Sequence, residues 1–354
     1  MTRSAGSPRR LRDVAVALWS LAAAGEACKE GPKTNSFPEG SAPPVASSAT
    51  PAVELPSATG EPPAATAAKP SAPRASPGST LKLLDAGQAP RRKLRYAWRL
   101  DQKERLTMDL RTTASTGAAG TTEVPLPSVH IAMDIDPKSV TTDGDLQYTW
   151  RVASATTDAR DETPSDVKEG MRVEVAGIAR LSGGAVVTSR GLSKDVTLDP
   201  GSGVDAVAGS QMAEQVIQTL RDVAAPLPDE EIGVGARWRK LSQLDERDAR
   251  VTQTETFRLA DLQGDKGTLS DTLAQTAPPQ ALRAPAASPG ARARMESMLA
   301  SGEAKVRFDV SRLVPQTTFD GTTTMVLSGP STGDAARATK MVMRVFIAIA
   351  GSRQ

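Results

Sequence analysis

VHIAMDI, residues 129–135, and LQYTWRV, residues 146–152, decide how this chain is to be read. In the first, Val129, Ile131, Met133 and Ile135 alternate with His130 and Asp134; in the second, Leu146, Tyr148, Trp150 and Val152 alternate with Gln147, Thr149 and Arg151. A period of two sends successive side chains to opposite faces of a strand, so each stretch has one apolar and one polar face. Such strands belong to an antiparallel sheet with one face on a core and the other in water. Working upstream, Leu106, Met108 and Leu110 repeat the pattern, as does KLRYAWRL, residues 93–100, where Leu94, Tyr96, Trp98 and Leu100 share a face. Four such strands in succession predict an antiparallel meander.

Downstream the period lengthens. After Pro164, the residues Val167, Met171, Val175 and Ile178 recur at helical spacing, with Thr163 or Ser165 as candidate caps. A second helix is predicted over 205–224, with Met212, Val216, Ile217, Leu220 and Val223 on one stripe and Pro226 and Pro228 as its stop. Strands then resume around Trp238, over 251–262 and 267–273, at Val306, Phe308 and Val310, at Met325 and Leu327, and over 341–350. Asp320-Gly321 reads as a hairpin turn. Residues 278–295 read as a long excursion followed by a short helix to Ser301.

The N-terminal part has a different character. Arg3, Arg9, Arg10 and Arg12 precede VAVALWSLAAA, residues 14–24, an apolar run of signal-peptide length that is too short to span a bilayer. Cys28, the only cysteine of 354 residues, follows at once. This arrangement resembles a bacterial lipoprotein signal, although Gly25-Glu26-Ala27 departs from the usual Leu-Ala-Gly before the thiol and Ala22-Ala23-Ala24 offers an ordinary cleavage site. Lipid attachment at Cys28 is the expectation, with secretion as a free thiol and retention inside the cell as the alternatives. Residues 28–79 are rich in Pro, Ala, Ser and Thr with few large apolar side chains, which cannot offset the entropy of ordering the backbone. The expected organisation is a signal peptide over 1–27, a disordered tether over 28–79, and one domain over 80–354.

Composition excludes more than it assigns. Forty-three Lys and Arg balance 41 Asp and Glu for a net charge of +2, so no strong field draws the chain to nucleic acid. One cysteine excludes an intrachain disulfide, and one histidine, His130, excludes any site needing two imidazoles. No G-x-S-x-G is present, and His130 falls on the polar face of its strand. Gly201-Ser202-Gly203-Val204-Asp205-Ala206 matches a dinucleotide fingerprint in spelling, but without parallel strands around it it reads as a flexible helix start. Ser79 with Lys82, and Ser165 with Lys168, fit S-x-x-K without the companion motifs. Asp134, Asp136, Asp143 and Asp145 could gather four carboxylates near one hairpin end, yet they lack calcium-loop spacing. No metal or other cofactor is expected.

Pro226-Leu227-Pro228 followed by Gly233-Val234-Gly235-Ala236-Arg237-Trp238 resembles a motif of uncharacterised bacterial lipoprotein-like domains, in which a helix ends in Pro-Leu-Pro and a Gly-x-Gly leads to a strand carrying Trp. The resemblance covers roughly residues 90–330 in order of elements and implies no activity. The expected fold is α+β: a curved antiparallel sheet or incomplete barrel packed on one or two helices. The expected protein is an exported, lipid-anchored, non-enzymatic component of the outer membrane or periplasm that binds a lipid-like or apolar ligand. A structural or protein-interaction role in the envelope and a soluble secreted form are the alternatives, and a hydrolase using Asp, Glu or Ser chemistry is the more distant one. Candidate ligand-lining residues are Tyr96, Trp98, Tyr148, Trp150 and Trp238, chosen as large aromatics on core-facing positions.

Overall fold

A computed structural model describes residues 79–354 except 117–122, 160–162, 200–210, 247–248, 283–292 and 329–337. The expected signal peptide, Cys28, nearly all of the expected tether and the Gly201–Ala206 stretch therefore lie outside the described residues. Fourteen strands and two helices are present among the described ones: β1 (Thr80–Asp85), β2 (Glu104–Thr116), β3 (Val124–Pro125), β4 (Ser128–Val140), β5 (Leu146–Asp158), α1 (Ser165–Ile178), β6 (Ser182–Val187), β7 (Ser193–Leu198), α2 (Gln211–Arg221), β8 (Arg237–Glu246), β9 (Ala249–Gln263), β10 (Lys266–Ala277), β11 (Gln280–Leu282), β12 (Ala293–Asp309), β13 (Gln316–Ser328) and β14 (Thr339–Arg353). The antiparallel sheet with two helices is the one expected, but the fold is predominantly β rather than α+β. The two helices serve as packing for one side of a single sheet.

That sheet runs β1-β8-β9-β10-β12-β13-β14-β2-β4-β5-β6-β7, with β3 and β11 paired to β2 and β12 beside this path. Neighbours along the path are antiparallel and the path does not close. The inner face carries Leu106 and Met108 of β2, Ile131 and Met133 of β4, Tyr148 and Trp150 of β5, and Trp238 of β8, all buried. Helix α1 buries Val167, Met171, Val175 and Ile178, the four residues its spacing singled out. Helix α2 shows that the sheet bends round its core. Thr219 donates to the Met108 sulfur at 3.5 Å, Ser193 of β7 donates to the carbonyl of Arg221 at 2.7 Å, and Lys240 of β8 reaches Asp222, one residue past the helix, at 2.6 Å. One short helix touches a middle strand, an edge strand and the strand next to the other edge, which a flat sheet of this width could not allow.

Several local expectations are corrected. Residues 93–100 form no ladder, although Leu94 and Tyr96 are buried as their alternation predicts. The backbone there bonds only at separate points, Arg92 with Ile232, Tyr96 with the Ser189 carbonyl and Ala97 with the Val310 carbonyl, because alternation reports burial and not a partner. Asp320-Gly321 is the middle of β13, paired to β12 and β14, and not a turn. The stretch ending at Ser301 is strand, since ladders from β10 and β13 on its two sides override the helix propensity of Met, Glu, Leu and Ala. Helix α1 starts after Pro164 with no side-chain cap, and Thr163 donates to the Pro125 carbonyl instead. Helix α2 ends at Arg221, before its prolines. Residues 225–228 run on as a buried segment in which the Ala225, Pro226 and Pro228 carbonyls accept from Tyr96, Trp238 and Arg95.

Candidate functional site

The predicted lining aromatics are part of the packed core. Tyr96 and Trp98 stack at 4.5 Å between ring centroids, Tyr96 donating to the Ala225 carbonyl and Trp98 to that of Gly144. Trp238 donates to the Pro226 carbonyl at 3.0 Å and stacks on Phe257. Tyr148 and Trp150 are also buried, with hydroxyl and indole nitrogen lacking a hydrogen-bond partner among the described residues. Trp98 alone of the five is only partly buried.

The open part of the inner face lies elsewhere, on β2 and β12–β14. Phe319, Met325, Met343, Val345, Ile347 and Leu110 all point inward by register yet are only half-buried. The β-pleat aligns Ala304, Phe319, Ile347 and Leu110 in one row across four adjacent strands. The Phe319 ring lies over two glycines: a Cβ at Gly302 or Gly321 would stand 2.4 or 2.5 Å from its ring atoms. Those glycines allow the ring to lie flat on the sheet, making an apolar platform. Phe319, Gly302 and Gly321 carried no sequence signal of this kind, because the overlap joins residues on two strands.

Beside this platform, the inner face of β8–β10 is polar and buried. Lys240 and Glu255 face each other across β8 and β9, and Asp271 of β10 sits one row away on the same face. The Lys240 ammonium lies 2.6 Å from Asp222 and 2.9 Å from Glu255. Lys240, Glu255 and Asp271 are 7%, 8% and 7% exposed. Burial by itself would lower the lysine pKa, but Asp222 and Glu255 outweigh it and raise it, so Lys240 is held as a cation. Burial first and the Glu255 charge second push the Asp271 carboxyl up to about 8. Its Oδ1 has no hydrogen-bond partner among the described residues. One row from Lys240 and Glu255 on the side away from Asp271, Gln275 donates to Gln253 at 2.6 Å and continues the polar wall.

The other sequence candidates do not converge. His130 Nδ1 lies 2.5 Å from Asp109 on the outer face, with both side chains more than two-fifths exposed. A shallow cavity of about 310 Å³ adjoins Asp109, floored by Ala348 and Ala350 and rimmed by Lys305 and Arg307. Asp134 is taken by Arg105, Arg151 and Gln354, whose bonds and charges outweigh burial and lower its pKa. Asp136 is paired with Lys138 and Lys103, and Asp145 with Lys194. Glu104, which no motif marked, is buried and accepts from the backbone amides of Leu313 and Val314, tying the β12–β13 turn to β2.

No protein-family model matches this chain, and no curated protein matches it. Among the described residues no helix is long and apolar enough to cross a membrane.

Proposed function

We propose that this chain is an exported, lipid-anchored, non-enzymatic envelope protein that binds a lipid-like or apolar ligand on the open inner face of its sheet, and that it belongs with the uncharacterised lipoprotein-like domains its Pro-Leu-Pro and Gly-x-Gly stretch resembles. The observation that carries the ligand reading is the half-buried row Ala304, Phe319, Ile347 and Leu110 with Met325, Met343 and Val345 around it. Fully burying a large apolar side chain is worth about 1.5–3 kcal/mol, so several left half-covered on the core side of a sheet amount to unused burial that a ligand would complete. Cys28, following a basic and then apolar N-terminus, supports the anchor.

The hydrolytic alternative has one observation in its favour, the convergence of Asp222, Glu255 and Asp271. It weighs less because Lys240 holds two of the three, leaving one carboxyl where glycoside hydrolysis needs a pair.

The test is titration of the full-length protein with N-phenyl-1-naphthylamine, an apolar fluorescent probe. Saturable binding at one probe per chain, weakened at least tenfold by Ile347→Asp in a protein that still unfolds cooperatively, is the expected result. Probe binding that ignores the substitution removes the inner face as the site. Intact mass of the protein from its native envelope, beside Cys28→Ala, tests the anchor: a mass without diacylglycerol on Cys28 ends that part of the reading.

A further inference from the structure

The polar wall at the end of the apolar row has the wrong charge balance to be only a structural ion pair. Three carboxyl groups, Asp222, Glu255 and Asp271, lie around one lysine, and its ammonium pairs with only two of them, Asp222 and Glu255. Asp271 is left over, 7% exposed, with Oδ1 unpartnered among the described residues. Burying a polar atom without a partner costs about 1–3 kcal/mol, which a fold tolerates most readily where something else supplies the partner. Asp271 also borders the open surface. Its cross-strand neighbour is Ala304, the first residue of the apolar row, and the adjoining pair Leu273 and Gly302 is likewise half-buried.

We infer that the inner face takes an amphiphile with a cationic amine head: the ammonium pairs with Asp271 beside Glu255, and the apolar body lies along Ala304, Phe319, Ile347 and Leu110. This inference rests on the apolar-ligand reading and adds the chemistry of the head group. Charge complementarity selects the cation. An anionic head would meet Glu255 and Asp271 with Lys240 already engaged, and a neutral hydroxyl would gain nothing from ionising Asp271, whereas a cation pairs with the carboxylate as it forms. The row from Asp271 to Leu110 crosses four strand spacings, about 19 Å at ~4.8 Å each, so a single alkyl chain can follow it.

The charged groups facing Asp271 are Glu255 from β9, Lys240 from β8 and Asp222 from the end of α2; β12 presents Ala304. An amine needs the ionised carboxylate, and a carboxyl with a pKa of about 8 is mostly protonated at pH 7 and mostly ionised at pH 9. Binding of the amine should therefore tighten as the pH rises.

The experiment titrates the full-length protein, by competition against N-phenyl-1-naphthylamine, with four probes of equal chain length: dodecylamine, dodecyltrimethylammonium, dodecanol and dodecanoate. Both cations are expected to bind at least tenfold tighter than dodecanol, with dodecanoate weakest, and cation affinity should rise about tenfold between pH 7 and pH 9. Asp271→Asn should erase the preference for cations while leaving dodecanol affinity within twofold. Should that variant fail to fold, the pH profile of dodecyltrimethylammonium on the unsubstituted protein decides, since this head group cannot titrate and a flat profile overturns the inference. Equal binding of dodecanol, dodecanoate and the cations overturns the amine head but leaves the apolar-ligand reading in place. Displacement of the naphthylamine by none of the four overturns both.

Discussion

Lys240 and Asp271 show how little a side chain's type says about its role until its neighbours are known. Lysine on a strand is ordinarily a wet-face residue; here it is buried between Asp222 and Glu255. Lys240→Met would leave the buried Glu255 without its cation, with the exposed Asp222 losing its partner too, a change expected to cost about 3 kcal/mol in denaturant unfolding. A loss under 1 kcal/mol would mean that water reaches the cluster freely. Asp271 carries the opposite sign of dependence on pH from that of a salt-bridged aspartate. Its folded pKa of about 8 lies above its unfolded value, so between pH 4 and pH 8 the folded state holds a proton that the unfolded chain has lost. Its contribution is therefore most favourable below the unfolded pKa and is lost as the pH rises toward 8. Asp271→Asn is expected to flatten the stability curve over that window and to raise stability at pH 9, measured by urea unfolding across pH. Nothing in the sequence marked this pair, because Lys240 and Asp271 are 31 positions apart and carry no motif spacing.

At the scale of elements, the Gly-x-Gly stretch acts as a clasp whose two glycines serve different ends. Gly235 adopts φ +87°, a left-handed conformation that suits glycine. Gly233 is there for close approach: its amide donates to the Ala86 carbonyl, and a Cβ would stand 1.8 Å from the Gln88 carbonyl oxygen. Gly233→Ala must move backbone and is expected to cost about 2 kcal/mol or more, read as a lowered midpoint of thermal unfolding; a midpoint within 1 °C of the parent would show that the two segments part easily. The sequence signals succeeded for elements whose burial is periodic, such as β4, β5 and helix α1. They failed where a ladder depends on distant strands. Asp320-Gly321 has the composition of a turn, yet β13 continues through it because β12 and β14 pair with it on both sides and Phe319 needs the space above Gly321.

For the whole molecule, helix α2 acts as the hub on which the bent sheet closes its core. Leu220 is fully buried, and residues beside it bond to β2, β7 and β8. Leu220→Ala is expected to cost about 2–5 kcal/mol and to raise amide exchange in β7 and β8 together, although these strands sit near opposite edges of the sheet. Exchange confined to one of them would show that the two edges are stabilised independently. Alternation alone determined that this chain would build an antiparallel sheet with one wet face and which residues would be buried on β4, β5 and α1. These are local properties, set by side-chain period. Only the tertiary structure decided that one continuous sheet would dominate over helix, that the aromatic residues would fill the core while Phe319 and Ile347 stayed half-open, and that Lys240, Asp222, Glu255 and Asp271 would meet. Those outcomes depend on strand order and register, which bring together residues far apart in the chain through contacts that no single segment encodes.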